Sequence, residues 1–329
     1  MTHSVAVFGA AGYTGALSAR LLDRHPSFEL RTVTSRSDAG RRLDDLYPHH
    51  RVPLMLEELD LDRHAGVEAA IVAYPHGAAA ELVASLLGRG VRVVDLSADF
   101  RLRDVAVYEE WYRAHPEPGL LGQAVYGLPE RYREQIRGAD LVANPGCYPT
   151  ATLLALAPLA RAGLIDDVVI DAKSGVSGAG RAATDKTHFV TVDENLNPYG
   201  VPRHRHTPEI EQELAVLGAE RPITFTPHLV PLDQGELVSC YVTGGGVGDL
   251  PALYREMYES EPFVELTETP PGVRDVRETN FCRISVHRDE RSGRVIVFSV
   301  IDNLWKGAAS QAVQNLNLMF GLPEGEGIS

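Results

Sequence analysis

Cys147 is the residue in this sequence most clearly placed for covalent chemistry. The run Asn144-Pro145-Gly146-Cys147-Tyr148-Pro149-Thr150 follows an apolar β-like stretch and leads into a helical pattern read over 149–159. Proline suits a first helical turn, where its missing N–H leaves nothing unpaired. Cys147 is therefore expected just before the exposed N–H groups and positive dipole end of a helix, a setting that lowers a thiol pKa. The same N–H groups would stabilise the oxyanion formed when the thiolate attacks a carbonyl. Gly146 leaves room for a close approach. Cys240 and Cys282 sit inside alternating strand patterns and read as small buried hydrophobes.

Reduction of a thioester to an aldehyde also needs a proton donor, commonly His. Arg203-His204-Arg205-His206-Thr207-Pro208-Glu209 places two histidines between arginines at the mouth of a helix read over 208–217, with Thr207 as its expected N-cap. The residues alone leave His204 and His206 open as donors. The arginines suit an anionic substrate. No Asp, Glu or Cys pattern completes a metal set with this His-x-His pair, so no metal is expected.

A second chemical signal stands at the start of the chain. Ser4 to Phe8 is an apolar strand candidate that runs into Gly9-Ala10-Ala11-Gly12-Tyr13-Thr14-Gly15 and then a helix through Leu22, closed by Pro26. Strand, glycine turn and helix are the parts of a dinucleotide site, in which backbone N–H groups and the helix N-terminus receive a diphosphate. The next strand ends in Thr34-Ser35-Arg36-Ser37 rather than in the Asp or Glu that would accept from a ribose 2′-hydroxyl. Hydroxyls and a guanidinium suit a 2′-phosphate, so NADP is favoured over NAD. Gly9, Gly12, Tyr13, Thr14, Gly15, Ser35 and Arg36 are the candidate cofactor residues of this half. Lys173 to Arg181, with Ser177 and Gly178 at its centre, is a glycine and hydroxyl loop suited to phosphate or a nicotinamide ribose.

These groups require a particular scaffold. Strand candidates at 30–34, 69–73, 91–95 and 141–144, alternating with helical stretches such as 78–87, predict a Rossmann-type, doubly wound parallel sheet. After Cys147 the strands lengthen, at 167–173, 223–225, 236–243, 281–287 and 295–302, which predicts an α+β domain with a mainly antiparallel or mixed sheet. Residues 304–320 read as a last long helix.

Length and charge narrow the function further. At 329 residues the chain suits two domains. A net charge of −14, from 31 basic and 45 acidic residues, disfavours nucleic acid and anionic membranes as partners. No signal-peptide pattern and no apolar run long enough to span a bilayer is seen, and the three cysteines do not make a disulfide framework, so a cytoplasmic location is expected.

Taken together, the motifs resemble N-acetyl-gamma-glutamyl-phosphate reductase of arginine biosynthesis, type 1. The likeness runs through Gly9 to Gly15, Val94-Asp95-Leu96-Ser97-Ala98-Asp99-Phe100-Arg101, Tyr126 to Glu130, Asn144 to Thr150, Lys173 to Arg181, His204 to Ile210, Thr226 to Leu229 and Asp302 to Ala309. The resemblance implies an NADP-binding domain over 1–147, rejoined by 303–329, and a catalytic domain over 148–302 of the glyceraldehyde-phosphate and semialdehyde dehydrogenase kind. It implies Cys147 as nucleophile, His206 as acid/base, Asn303 near the nicotinamide, and assembly as a dimer or tetramer. The sequence departs from the family at Leu232-Asp233-Gln234-Gly235, where an arginine usually stands at the third position. Two other readings compete with it: the related reductase of lysine biosynthesis, whose acidic carrier protein the negative surface would repel, and an NADP sensor without catalysis.

Overall fold

A computed structural model describes residues 2–64, 66–244 and 248–328. The chain divides into two compact units, Met1–Gly146 with Ala308–Ser329, and Cys147–Gly307.

The first unit holds a seven-stranded sheet of β1 (His3–Phe8), β2 (Phe28–Thr34), β3 (Leu56–Glu57), β4 (Ala69–Val72), β5 (Arg92–Asp95), β6 (Val125–Tyr126) and β7 (Leu141–Ala143), in the order β3-β2-β1-β4-β5-β7-β6. Its pairings are parallel throughout. Parallel strands covered on both faces read as continuous apolar runs, and Val5 to Phe8 and Ala69 to Val72 are accordingly all fully buried. Helix Ala80–Leu87 contributes Leu82, Val83 and Leu86 to the core over β1, β4 and β5. The final helix is shorter than the sequence reading: Trp305–Ala309 forms one π-helical turn and the α-helix spans Ser310–Met319. Every residue of that helix is buried. Its amide nitrogens are paired: Gln311 and Asn315 donate to the Gly127 carbonyl, Asn315 also to Asn144 Oδ1, and Asn317 to the carbonyls of Glu324 and Glu326.

The second unit holds a mixed seven-stranded sheet of β8 (Asp167–Gly175), β9 (Asn197–Pro198), β10 (Thr224–Val230), β11 (Glu236–Thr243), β12 (Val264–Leu266), β13 (Cys282–Asp289) and β14 (Arg294–Ile301), in the order β12-β13-β14-β11-β8-β10-β9. β8 pairs parallel with β10, and antiparallel with β11, which in turn pairs antiparallel with β14. Helix Cys147–Arg161 packs on β11 and β14. It begins two residues before the expected start, so Cys147 is its first residue rather than the residue preceding it. All positions from Tyr148 to Ala160 are buried, and burying each leucine among them contributes about 1.5–3 kcal/mol.

Candidate active site

In the first unit the glycine turn links β1 to helix Tyr13–Asp23. Gly9 has φ +91, and the N–H groups of Gly9 and Ala10 both donate to the Thr34 carbonyl at the end of β2. A side chain at Gly15 would meet the Gly9 carbonyl oxygen at 2.3 Å, so only glycine lets the helix start this close to the turn. Gly12 occupies the N-cap with an extended backbone and supplies no side-chain cap. The first N–H groups of Tyr13, Thr14 and Gly15 thus remain for a ligand, which fits a diphosphate. Tyr13 lies edge-on to Tyr47, whose hydroxyl donates to the Ala11 carbonyl. At the end of β2, Ser35 is buried and its Oγ accepts from the Asp38 N–H, while Arg36 is exposed. A guanidinium there, with no acid at the strand end, fits a 2′-phosphate.

The Val94-to-Arg101 motif is structural. Asp99 accepts from the N–H groups of Gly77, Ala79 and Ala80 and from the Tyr108 hydroxyl, which caps the start of helix Ala80–Leu87. Ser97 donates to Asp95, and Arg101 donates to the carbonyls of Asn144 and Leu96. This last pair fixes the strand end that leads to Gly146.

In the second unit Cys147 is half-buried at the first turn of its helix, and Gly307 packs directly on it: a Cβ at Gly307 would meet the Cys147 Cβ at 2.8 Å. The neighbouring Tyr148 ring gathers both histidines, with its centroid 5.8 Å from those of His204 and His206, which lie 4.9 Å apart. The Tyr199 hydroxyl donates to the Tyr148 hydroxyl, and the charge of Cys147 is felt at both tyrosines. Burial, followed by the Arg205 charge, lowers His204 to about 4. His206, not Thr207, is the N-cap of helix Thr207–Val216; Thr207 is its first residue.

Ser177 and Gly178 lie in a single 3-10 turn, Val176–Ala179, directly after β8, so the first third of the expected loop, Lys173 to Gly175, is strand. Asn303 is 3% exposed and its amide spans two segments, donating to Ser177 Oγ at 3.0 Å and accepting from the Gly235 N–H at 2.7 Å. The departing segment joins the same place: the Leu232 and Asp233 carbonyls accept from the N–H groups of Val176 and Ser177. Cys240 and Cys282 are fully buried, and burial pushes the Cys240 thiol up. His228 sits on β10 against the Ala172 carbonyl and Asp171. Among the described residues no three His, Cys, Asp or Glu side chains converge as a metal site requires.

One site residue escaped the sequence reading. Glu236, the first residue of β11, is fully buried beside Cys147, and burial pushes its carboxyl up to about 8, with the Cys147 side chain opposing that shift and Asp302 adding to it. Neither of its oxygens forms a well-aligned hydrogen bond to a protein donor.

Comparison with known proteins agrees with this architecture. Residues 4–139 match the semialdehyde dehydrogenase NAD binding domain and residues 147–303 the semialdehyde dehydrogenase dimerisation domain. The fold is similar to that of aspartate semialdehyde dehydrogenase II from Vibrio cholerae, at a TM-score of 0.74 and 20% identity, over 98% of this chain and 99% of that one. It is also similar to aspartate semialdehyde dehydrogenase with NADP from Candida albicans, at a TM-score of 0.69 and 15% identity, over 97% and 99%. N-acetyl-gamma-glutamyl-phosphate reductase from Desulforudis audaxviator is 52% identical over 98% of this chain and 97% of the relative. The protein of the same name from Alkalilimnicola ehrlichii is 51% identical over the same shares. Identity at that level along almost the whole length, on a semialdehyde dehydrogenase scaffold that carries the cysteine at a helix start, places the chain in the N-acetyl-gamma-glutamyl-phosphate reductase family.

Proposed function

We propose that this chain reduces N-acetyl-gamma-glutamyl phosphate to N-acetyl-glutamate semialdehyde and phosphate, in arginine biosynthesis, through a thioester on Cys147. The observation that carries the reading is the position of that thiol: half-buried, first in a helix whose dipole favours the thiolate, and next in the chain to Tyr148, whose ring lies 5.8 Å from those of both histidines. The thiolate attacks the acyl phosphate carbon and phosphate departs. NADPH, when bound, supplies the hydride. Gly9, Gly12, Tyr13, Thr14, Gly15, Ser35 and Arg36 hold its diphosphate and 2′-phosphate ends, while Ser177, Gly178 and Asn303 serve the nicotinamide end.

His206 is assigned as the proton donor. His204 is held neutral near physiological pH by burial and then by the Arg205 charge, which disfavours it as the donor. The active form is a homo-oligomer, a dimer or tetramer, in the cytoplasm. A half-exposed face of the second sheet, where Val169, Tyr241 and Ile296 align across three strands with Phe298 nearby, supports self-association.

Cys147→Ser is the direct test. NADPH oxidation with substrate generated in situ should be lost while the NADPH dissociation constant stays near that of the unaltered protein. Turnover retained at the original rate would overturn the covalent route.

A further inference from the structure

The proton leaving Cys147 needs a destination, and the structure offers one within the second unit. Glu236 opens β11, a strand paired on both sides, with Ser174 of β8 and Ile301 of β14 as its cross-strand neighbours. Along β11 the residues at 236, 238, 240 and 242 are fully buried, on the strand that helix Cys147–Arg161 covers. A carboxyl at 0% exposure would ordinarily be paired with a cation or several N–H donors. Glu236 has neither: both oxygens lack a well-aligned donor, and the side chain that acts on its ionised form is the Cys147 thiol. The other ionisable groups felt there are Asp302, at the end of β14, and the hydroxyls of Tyr148 and Tyr199, none of them a cation. Gly307, packed against the Cys147 Cβ, adds no charge.

We propose that Glu236 is the proton partner of Cys147, taking the thiol proton as sulfur attacks the acyl carbon and returning it when the aldehyde is released. This rests on the thioester reading above. In the first step the S–H bond breaks and the S–C bond forms; the proton passes to the Glu236 carboxylate and phosphate leaves with the C–O electron pair. Once the thioester has been reduced, the hemithioacetal alkoxide collapses, the C–S pair returns to sulfur, and the Glu236 carboxylic acid reprotonates it. The proton on the thiol is thus conserved within the pair, and the one further proton, taken up by the leaving phosphate, comes from His206, the donor assigned above. Two acids in contact with one proton between them titrate as a unit. The surroundings fit that demand, since burial raises the carboxyl to about 8, into the range where it can accept and give a proton near neutrality.

The test is Glu236→Gln, an isosteric change that cannot accept the proton. Turnover should fall by about 10²–10⁴, the usual worth of a positioned acid/base. Iodoacetamide alkylation of Cys147 above pH 8, where the carboxyl raised to about 8 is ionised, should not slow, because a neighbouring negative charge has been removed. Its pH profile should change from two steps to one, and Glu236→Asp should recover part of the turnover. A purely structural role would lower turnover and alkylation together; that result, or turnover within about threefold of the original, overturns the proposal. If Glu236→Gln does not fold, difference infrared on the unaltered protein with isotope-labelled glutamate decides. Above pH 8, where the free carboxyl raised to about 8 is ionised, acyl-enzyme formed without NADPH should show a new protonated carboxyl, and its absence overturns the proposal. An active Cys147→Ser would defeat the thioester reading itself, whereas an inactive Cys147→Ser with a near-normal Glu236→Gln defeats this inference alone.

Discussion

Substituting alanine at two glycines three residues apart should separate folding from cofactor binding. At Gly15 the new Cβ would stand 2.3 Å from the Gly9 carbonyl oxygen and 2.9 Å from Ala10 Cα, where ordinary contact begins at 3.4 Å. The turn must open by about 1 Å, and backbone atoms cannot rotate aside as a side chain would. Overpacking costs roughly 1–3 kcal/mol, here at the upper end, and alanine in a helix regains about 1 kcal/mol over glycine. The net loss of about 2 kcal/mol corresponds to roughly 4–8 °C in melting temperature for a unit of this size. At Gly12 the nearest atom is the Gly9 carbonyl oxygen at 3.8 Å, and the backbone is already extended at φ −77. Gly12→Ala should therefore melt within about 4 °C of the original protein, since exchanging these two residues at an N-cap is worth about 1 kcal/mol or less. Its Cβ would nevertheless stand in the open space proposed for the diphosphate, and NADPH binding should weaken at least about tenfold, the equivalent of roughly 1.4 kcal/mol. Thermal melting and NADPH fluorescence titration measure the two effects. A Gly15→Ala protein as stable as the original would refute the close-approach argument, and a Gly12→Ala protein with unchanged affinity would refute the placement of the diphosphate.

Three further outcomes follow from the same structure. Gly307→Ala drives a Cβ against the Cys147 Cβ at 2.8 Å, so the rate of turnover should drop about 100-fold through displaced sulfur, while NADPH titration stays unchanged; equal kinetics would show that the contact does not position the thiol. Arg36→Ala should weaken NADPH about 10- to 100-fold, the worth of one charge-assisted hydrogen bond, and leave NADH unaffected; parallel losses for both cofactors would remove Arg36 from the 2′-phosphate. Asp95 is raised to about 7, first by burial and then by the Asp99 charge, against its hydrogen bonds from Ser97. Its folded state therefore holds a proton that the unfolded chain releases near 3.8, and the protein loses stability on this account as pH rises from about 4 to about 7, with no further change above. Urea titrations should show Asp95→Asn gaining on the original protein across that window; a pH-independent gap would mean that Asp95 does not hold its proton.

Much of the fold was legible because its strands are buried on both sides or on one, and each arrangement leaves its own apolar rhythm. Val5 to Phe8 and the alternation at 236–243 are examples. Short pieces such as Val125–Tyr126 escaped, since two residues carry no periodicity. Helix Leu250–Tyr258 escaped although it had signals, an Asp249 N-cap that accepts from the Ala252 N–H, a proline at its start and an apolar stripe at Leu250, Tyr254 and Tyr258. Cys147 could be found by its helix-start grammar. Glu236 could not: an acid opening a strand ordinarily marks a solvated edge, and only the helix Cys147–Arg161 laid over β11 shows that the position is buried. Gly307 was likewise hidden, because its meaning comes from a residue 160 positions earlier in the chain. The offset at Thr207 is of a different kind, with the helix beginning one residue earlier than an N-cap there would set.

The buried helix Ser310–Met319 also has a temporal consequence. The first unit is encoded in two parts, and the ribosome must make all of Cys147–Gly307 before the second part exists. At ordinary elongation rates the N-terminal portion waits roughly 8–30 s with the Gly127 carbonyl and the seat of Leu316, Leu318 and Met319 uncovered. A nascent chain arrested short of residue 308 should thus be a ready client for a chaperone that binds apolar surface, and one arrested with residues 308–328 clear of the exit tunnel should not.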